Sequence, residues 1–417
     1  MRVIFYLLTA GISAAVTFGL AVAILKLSHR YRLYPKIRER DMHSRPTPRL
    51  GGVAMFLGIV VALAIASQIP AFSLVFSEPN KVIGILAVAL IIVVIGVVDD
   101  IWDLDWLTKL AGQILAAGML PWIAGIQVFT LPIPGGVAVL PASVSLIITV
   151  LAIVLVMNAV NFIDGLDGLV AGVAIIANGV FFLYSYALAV FAGNTEYFNL
   201  ATLITVVLIG ACIGFLPLNW HPARLFMGDA GALLVGLLMA TAAITVTGQI
   251  DPETWNYGGE LLPVFIPILL PFAVLVVPLL DFGLAVIRRL AAGKSPFAAD
   301  RKHLHHRLID MGHGHLQAVL IFYAWTTVFS VGCLVFVVVP WQQASLILLV
   351  GLLLCTGLTL LPLRGRTRAQ GDAALGTPEE IAAADAEAAA LVLAEAARAA
   401  QSTTDRPSDP EQRPTDA

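Results

Sequence analysis

Residues 81–100 read KVIGILAVALIIVVIGVVDD, an apolar run that ends in two adjacent carboxylates, Asp99 and Asp100. A helix that crosses the hydrocarbon core of a bilayer needs about 20 predominantly apolar residues, and this run has that length. Carboxylates beside lipid are costly, so a pair of them at the end of such a run needs a reason. The same combination of an apolar run and a short polar cluster recurs along the chain.

The composition of the whole chain indicates a membrane protein. Of its 417 residues, 59% are hydrophobic and 12% are charged, whereas a typical soluble domain has roughly 25% charged residues. The sequence therefore predicts an all-α polytopic membrane protein with eleven transmembrane helices. The eleven runs cover residues 3–25, 50–69, 81–98, 107–125, 143–160, 168–191, 198–218, 230–247, 262–287, 318–339 and 344–363. Between the fourth and fifth runs, residues 130–141 predict a short hairpin.

The distribution of basic residues predicts the orientation. With the N-terminus outside and the C-terminus cytoplasmic, 22 of the 24 Lys and Arg residues fall in inner loops or in the C-terminal tail, as the positive-inside rule requires. We therefore expect a multi-pass plasma-membrane protein whose active site faces the cytoplasm. Residues 1–363 form its transmembrane catalytic domain. Residues 364–417 form a cytoplasmic tail, an Ala-rich helix followed by a disordered segment.

Four polar clusters interrupt the apolar runs, and the predicted orientation places all four on the cytoplasmic side. They are DDIWD at 99–103, NFIDGLDG at 161–168, FMGDAG at 226–231 and HLHH at 303–306. Carboxylates, amides and cations gathered at one place are the equipment that phosphoryl transfer needs for positioning and charge stabilisation. The sequence therefore predicts one composite site for a charged, phosphorylated substrate.

The acidic residues have two interpretations each. Asp99 and Asp100 would suit Mg²⁺, which prefers oxygen ligands, or they form a charged helix end that Lys109 and the basic loops neutralise. Asp229 stands where a helix is expected to begin. It is therefore either a metal ligand or an N-cap, which would stabilise the helix by about 1 kcal/mol.

The second cluster has a three-residue spacing, with Asn158, Asn161, Asp164 and Asp167 predicted on one helical face. Such side chains would read a base or hold a sugar hydroxyl, or they form a buried packing network. In the fourth cluster, cationic side chains suit phosphate oxygens, and a zinc site or a solvated loop are the alternatives.

The order of these clusters, with PTPRLGG at 46–52, resembles the polyprenyl-phosphate N-acetylhexosamine-1-phosphate transferases. This superfamily includes the phospho-N-acetylmuramoyl-pentapeptide transferases, and the resemblance covers residues 1–363. It implies that a polyprenyl phosphate attacks the β-phosphate of a UDP-N-acetylhexosamine and that UMP leaves. It also implies a requirement for Mg²⁺, with Mn²⁺ as an alternative ion.

The resemblance further implies roles for individual residues. Asp229 would bind the metal, and Asp99 and Asp100 would orient or deprotonate the lipid phosphate and are further candidate metal ligands. The expected uridine pocket consists of Gly165, Leu166, Asp167, Asn219 and Phe226. Further substrate-binding residues are Arg49, Asn158, Asn161, Asp164 and Arg301. The histidines expected near the pyrophosphate are His303, His305 and His306.

Two features favour the branch that transfers N-acetylglucosamine-1-phosphate to start a cell-wall or surface polysaccharide. They are Asp103 and the interrupted histidine motif. The alternatives are a muramoyl-pentapeptide transferase and, from another class, a proton-coupled transporter that would use Asp281. The expected partners are the UDP-sugar, the lipid phosphate and the bilayer, with no nucleic acid. A homodimer is a further candidate partner arrangement that the sequence leaves open.

Overall fold

The computed structural model describes residues 2–31, 47–133, 136–191, 196–247 and 308–360, with isolated positions between 273 and 293. The chain divides after Pro362 into two units, and the described residues belong to the first, so the predicted tail lies outside them. The bounded helices are α1 (Arg2–Tyr31), α2 (Gly51–Ala66), α3 (Pro79–Trp102), α4 (Trp106–Ala124), α5 (Ala142–Ile163), α6 (Leu169–Phe191), α7 (Glu196–Asn219), α8 (Gly228–Thr247), α9 (His315–Val338) and α10 (Trp341–Leu360).

These helices confirm the predicted class. In the described part of the chain, nine helices are long and apolar enough to cross a membrane, and α2 is a shorter apolar helix of 16 residues. Ten of the eleven predicted runs coincide with a helix. The remaining run, residues 262–287, lies mainly outside the described residues. The count of eleven spans and the orientation therefore stay predictions.

The one sheet among the described residues is the predicted hairpin. Strands β1 (Thr130–Ile133) and β2 (Gly136–Val139) pair antiparallel, with Thr130 opposite Val139. Val128, two residues before β1, is hydrogen-bonded to α5. Its N–H donates to Thr149 Oγ1 at 2.9 Å, and its carbonyl accepts from the Ser145 hydroxyl at 2.6 Å.

Helix α8 lies at the centre of the bundle, where it packs against α2, α3, α5 and α7 and is the most buried of the candidate spans. Small residues allow this packing. A Cβ atom at Gly96 of α3 would lie 2.3 Å from the Cα atom of Ala230 in α8. The first turn of α8, which carries Asp229, therefore contacts the last turns of α3 directly.

We predict that Gly96→Ala destabilises the protein by about 1–3 kcal/mol, the usual cost of overpacking. The clash is with backbone atoms, which cannot rotate away. Gly118→Ala on α4 is the matched control, because a Cβ there meets nothing within 4 Å, and Ala is the better helix former. Thermal unfolding midpoints in detergent should fall for Gly96→Ala alone. An unchanged midpoint would mean that α3 and α8 are not in backbone contact.

Candidate active site

The N-terminus of α8 is capped from another helix. Asp100, buried in the last turn of α3, accepts hydrogen bonds from the N–H groups of Asp229 at 3.2 Å and Ala230 at 3.4 Å. The first N–H groups of a helix have no intrahelical partner, and a negative charge is favourable there. The alternative in which Asp229 is itself the N-cap is therefore wrong, and its carboxylate points elsewhere.

Gly228, the first residue of α8, is required by its surroundings. Its φ is +69°, which favours glycine, and a Cβ atom there would lie 2.3 Å from the carbonyl oxygen of Arg49 and 2.4 Å from Asp100 Oδ2. The absence of a side chain lets the first loop and the Asp100 carboxylate both approach the start of α8.

The first loop is joined to the segment before α8 by backbone hydrogen bonds. The N–H of Phe226 donates to the Pro48 carbonyl at 2.8 Å, and the N–H of Gly51 donates to the Phe226 carbonyl at 3.0 Å. The N–H of Gly52 donates to the Met227 carbonyl at 2.9 Å. The motifs PTPRLGG and FMGDAG, which are about 180 residues apart in the sequence, therefore form one structural unit.

A cluster of charged and amide groups, here called the carboxylate cluster, consists of Asp99, Lys109, Asn161 and Asp229. Asp229 Oδ1 accepts a hydrogen bond from Asn161 Nδ2 at 3.0 Å, and its Oδ2 contacts Lys109 Nζ. Lys109 Nζ also donates to Asp99 Oδ2 at 3.1 Å. The ends of α3, α4, α5 and α8 meet here, so the predicted convergence of the first three polar clusters is confirmed.

Lys109 was counted by the sequence analysis only as a neutralising charge, and its place at the centre of the cluster was missed. A signal was present, since Lys109 is the one basic residue close to the junction of the third and fourth runs, and that junction carries Asp99, Asp100, Asp103 and Asp105. When a single cation lies close to several carboxylates in the sequence, it is expected to pair with them, because buried charges are normally paired. Lys109 could therefore have been predicted as a site residue.

The prediction that Asn158, Asn161, Asp164 and Asp167 share a helical face is wrong beyond Asn161. Helix α5 ends at Ile163, and the chain turns through residues 164–168 to α6, with a positive φ of +76° at Gly168. Asn158 donates to Gln113 Oε1 of α4 at 2.5 Å and to the Val154 carbonyl at 2.8 Å.

Asp164 lies in this turn, beside the carboxylate cluster. Withdrawal from water raises the pKa of its carboxyl group to about 7, and the negative charges of Asp229 and Asp167 add to the effect. The positive charge of Arg49 opposes it. Arg49 and Asp164 therefore lie within electrostatic reach of each other, as expected for two residues of one site.

The turn Gly165–Gly168, here called the GLDG loop, is held by two helices. The N–H of Gly168 donates to Asn219 Oδ1 at 3.0 Å, while Asn219 Nδ2 donates to the Leu225 carbonyl at 3.1 Å. The Tyr323 hydroxyl of α9 donates to the Gly168 carbonyl at 2.6 Å. Asn219 is buried, so it acts as a tie between the GLDG loop and the segment that leads to Phe226.

Asp167 is hydrogen-bonded to two histidines whose rings stack on each other. Its Oδ2 accepts from His221 Nδ1 at 2.7 Å and from the N–H of Ala223 at 3.1 Å. Its own N–H donates to His315 Nε2 at 3.1 Å, and the two imidazole rings lie 4.3 Å apart. His315 was missed by the sequence analysis, because nothing in its neighbourhood distinguishes it from a residue at the start of a span.

Asp167, His221 and His315 also have ligand atoms within 4.8 Å of one another, a spacing that a metal ion would accept. However, the His221 Nδ1 atom donates to the carboxylate, and the His315 Nε2 lone pair accepts the Asp167 N–H. Because these ring atoms are already engaged in hydrogen bonds, we interpret the three residues as a hydrogen-bonded network.

Comparison with known proteins identifies the family of this chain. Residues 82–247 match the glycosyl transferase family 4 model. The chain is 40% identical over 359 residues to the decaprenyl-phosphate N-acetylglucosaminephosphotransferase of Mycobacterium tuberculosis, which covers 85% of this chain and 89% of that protein. It is 39% identical over 361 residues to the protein of the same name from Mycolicibacterium smegmatis, covering 85% and 88%. The chain belongs to glycosyl transferase family 4.

A more distant family relative is the phospho-N-acetylmuramoyl-pentapeptide-transferase of Anoxybacillus flavithermus, 29% identical over 342 residues, which are 78% of this chain and 95% of that protein. The resemblance to the polyprenyl-phosphate N-acetylhexosamine-1-phosphate transferases is thereby confirmed. The roles of individual residues in this family 4 member stay predictions. His303, His305, His306 and Arg301 lie outside the described residues, as does Asp281 of the transporter alternative.

We predict that Tyr323→Phe lowers the stability of this family 4 protein by about 1 kcal/mol, because the Gly168 carbonyl loses a hydrogen-bond donor. Tyr184→Phe is the matched control. The Tyr184 hydroxyl is buried and has no hydrogen-bond partner among the described residues, so its removal should leave stability unchanged or raise it. Thermal unfolding of both variants in detergent measures the difference. Equal midpoints would argue against the Tyr323 contact.

Proposed function

We propose that this protein transfers N-acetylglucosamine-1-phosphate from UDP-N-acetylglucosamine to a polyprenyl phosphate. The products are UMP and polyprenyl-pyrophosphoryl-N-acetylglucosamine, the first membrane intermediate of a cell-wall or surface polysaccharide. The observation that carries the proposal is that the carboxylates of Asp99 and Asp229 both contact the same atom, Lys109 Nζ. The names of relatives 40% and 39% identical to this chain support the substrates.

The carboxylate cluster fits the proposed divalent ion. One oxygen of Asp99 and one of Asp229 are turned toward the same positive charge on Lys109, and carboxylate oxygens are the ligands that Mg²⁺ prefers. Mn²⁺ suits the same donors. Asp229 and Asp99 would hold the ion, which would neutralise charge on the reacting phosphates. Asp100 is a weaker candidate ligand, because its oxygens accept the N–H groups of α8.

The reaction needs little acid–base help from the protein. An oxygen of the lipid phosphate attacks the β-phosphorus of the UDP-sugar, and the bond between that phosphorus and the bridging oxygen breaks, so that UMP leaves with the bond's electrons. A phosphate monoester has its second pKa near 6 and is mostly dianionic at pH 7. We therefore assign Asp99 a positioning role, and direct attack needs no covalent intermediate.

The nucleotide pocket of the proposal is the GLDG loop together with Phe226. The loop is held by Asn219 and by the Tyr323 hydroxyl, and Phe226 is fixed by its backbone hydrogen bonds to the first loop. With the backbone of Phe226 held in this way, its ring can stack on uracil, an interaction worth about 1–3 kcal/mol per base. Asn219 contributes by positioning, since its amide already joins two loops.

The cellular location follows from the substrates and the charge pattern. UDP-sugars are polar and would reach the site from the cytoplasm, and the basic loops favour a cytoplasmic face for the ends of α3, α5 and α8. We therefore place the protein in the plasma membrane with its site on the cytoplasmic side. A muramoyl-pentapeptide transferase is the second candidate within the class.

The experiment that tests the proposal is a panel of donors with UMP detection. Purified protein receives Mg²⁺, polyprenyl phosphate and one UDP-sugar at a time. Release of UMP with UDP-N-acetylglucosamine is expected. Release with only the UDP-muramoyl-pentapeptide would favour the second candidate, and no UMP with any UDP-N-acetylhexosamine would reject both.

We predict that Asp229→Asn lowers kcat by at least about 100-fold, the scale on which a lost electrostatic contact acts in catalysis, because an amide is a poorer Mg²⁺ ligand. Glu78→Gln is the matched acid-to-amide control, since Glu78 lies at the opposite end of α3, where it pairs with Lys81. Thermal unfolding of both variants should show folded protein. Activity of Asp229→Asn near that of the wild type would remove Asp229 from the metal role.

We predict that Phe226→Ala mainly raises KM for the UDP-sugar and changes kcat less, because stacking on uracil stabilises the bound substrate and the transition state alike. Phe18→Ala is the control, since Phe18 is exposed on α1. Steady-state kinetics at saturating lipid phosphate measures both constants. A KM that does not change would count against the uridine pocket.

A further inference from the structure

Lys109 is the cation around which the carboxylate cluster is built. Its Nζ atom lies 3.1 Å from Asp99 Oδ2 and also contacts Asp229 Oδ2, so carboxylates from α3 and α8 share one ammonium group. The Lys109 side chain is 17% exposed, and those of Asp99 and Asp229 are 8% and 28% exposed. Within the described residues, no other cation contacts either carboxylate. The two oxygens that would hold a divalent ion are therefore the two that hold the lysine.

We propose that Lys109 and the divalent ion compete for Asp99 Oδ2 and Asp229 Oδ2, so that binding of the metal displaces the lysine ammonium from the carboxylate cluster. The inference rests on the metal site of the proposed function and adds a built-in counter-ion to it. Two carboxylates held together at low exposure repel each other unless a positive charge lies between them. Lys109 supplies that charge before the metal arrives.

The position of Lys109 makes such an exchange mechanically simple. It lies in the first turn of α4, whose N-terminus is fixed by Asp105, the acceptor of hydrogen bonds from the N–H groups of Leu107 at 3.0 Å and Thr108 at 3.2 Å. The backbone is thus anchored, while the ammonium sits on a flexible four-carbon stem. Rotation of side-chain bonds alone can withdraw the charge, and α4 need not move.

A lysine that only supports the site would behave in the opposite way. If its role were to hold Asp99 and Asp229 in the correct geometry, its removal would let the carboxylates separate, and metal binding would weaken. If it competes, its removal eliminates both the competitor and a repelling positive charge, and metal binding tightens. The sign of the change in metal affinity therefore distinguishes the two roles.

The first experiment measures metal binding without substrates. Mn²⁺ is titrated into purified full-length protein, and the free ion is followed by its electron paramagnetic resonance signal, with Mg²⁺ as a competitor. We expect Lys109→Gln to bind Mn²⁺ on the order of tenfold more tightly than the wild type, a difference of about 1.4 kcal/mol. Lys81→Gln is the matched control, because Lys81 pairs with Glu78 at the far end of α3, and its affinity should equal that of the wild type.

The second experiment uses the unmodified sequence and does not depend on the folding of a variant. An amine-acylating reagent is applied with and without Mg²⁺, and the labelled lysines are quantified by mass spectrometry. Displacement from the carboxylates should raise the labelling rate of Lys109 several-fold and saturably with Mg²⁺, because an amine released from its ion pairs is more accessible to the reagent. Labelling of Lys81 in the same sample should not change.

Several outcomes would overturn the competition. They are weaker or unchanged Mn²⁺ binding by folded Lys109→Gln, absence of Mn²⁺ binding by the wild type, and a labelling rate of Lys109 that Mg²⁺ leaves unchanged or lowers. Failure of the transferase proposal looks different. In that case Mn²⁺ would still bind more tightly to Lys109→Gln, and no donor would release UMP.

Discussion

The hydrogen bonds from the start of α8 to the Asp100 carboxylate are the interaction on which the rest of the site depends. Helix α8 is the most buried candidate span, so its first N–H groups cannot rely on water, and an unsatisfied polar group in apolar surroundings costs several kcal/mol. Asp100 of α3 satisfies two of them. The position of Asp229 relative to Asp99 follows, because Asp99 precedes Asp100 in the chain and Asp229 itself donates one of these hydrogen bonds.

In this arrangement, the two adjacent carboxylates of Asp99 and Asp100 make different contacts. Asp100 faces the backbone of α8, while Asp99 accepts the N–H of Leu104 with one oxygen and contacts Lys109 with the other. Asp229 also makes two kinds of contact, since its N–H donates to Asp100 and its carboxylate contacts Lys109 in the carboxylate cluster. The last turn of α3, which carries Asp99 and Asp100, therefore both caps α8 and contributes a charged group to the carboxylate cluster.

The parts that the sequence predicts well depend on local patterns. Runs of apolar residues with the length of a bilayer predict the spans, and polar residues among them predict the site. One error arises from a contact with a distant element, because the carboxylate that caps α8 belongs to α3 and not to Asp229. The other is local, because α5 ends at Ile163 and the chain turns before Asp164 and Asp167. His315 and Tyr323 join the site through tertiary contacts that no sequence pattern indicates.

The attachment of the GLDG loop to α9 has a consequence for the smallest piece of this chain that could work. The region that matches the family, residues 82–247, contains Asp99, Lys109, Asn161 and Asp229. It ends before His315 and Tyr323, which hold the loop from α9, and begins after Pro48 and Gly51, which hold Phe226. A fragment cut to the family boundaries would keep every charged group of the cluster, the GLDG loop and Phe226, but it would lose the contacts that hold the loop and Phe226 in place. The autonomous unit is therefore larger than the region by which the family is recognised.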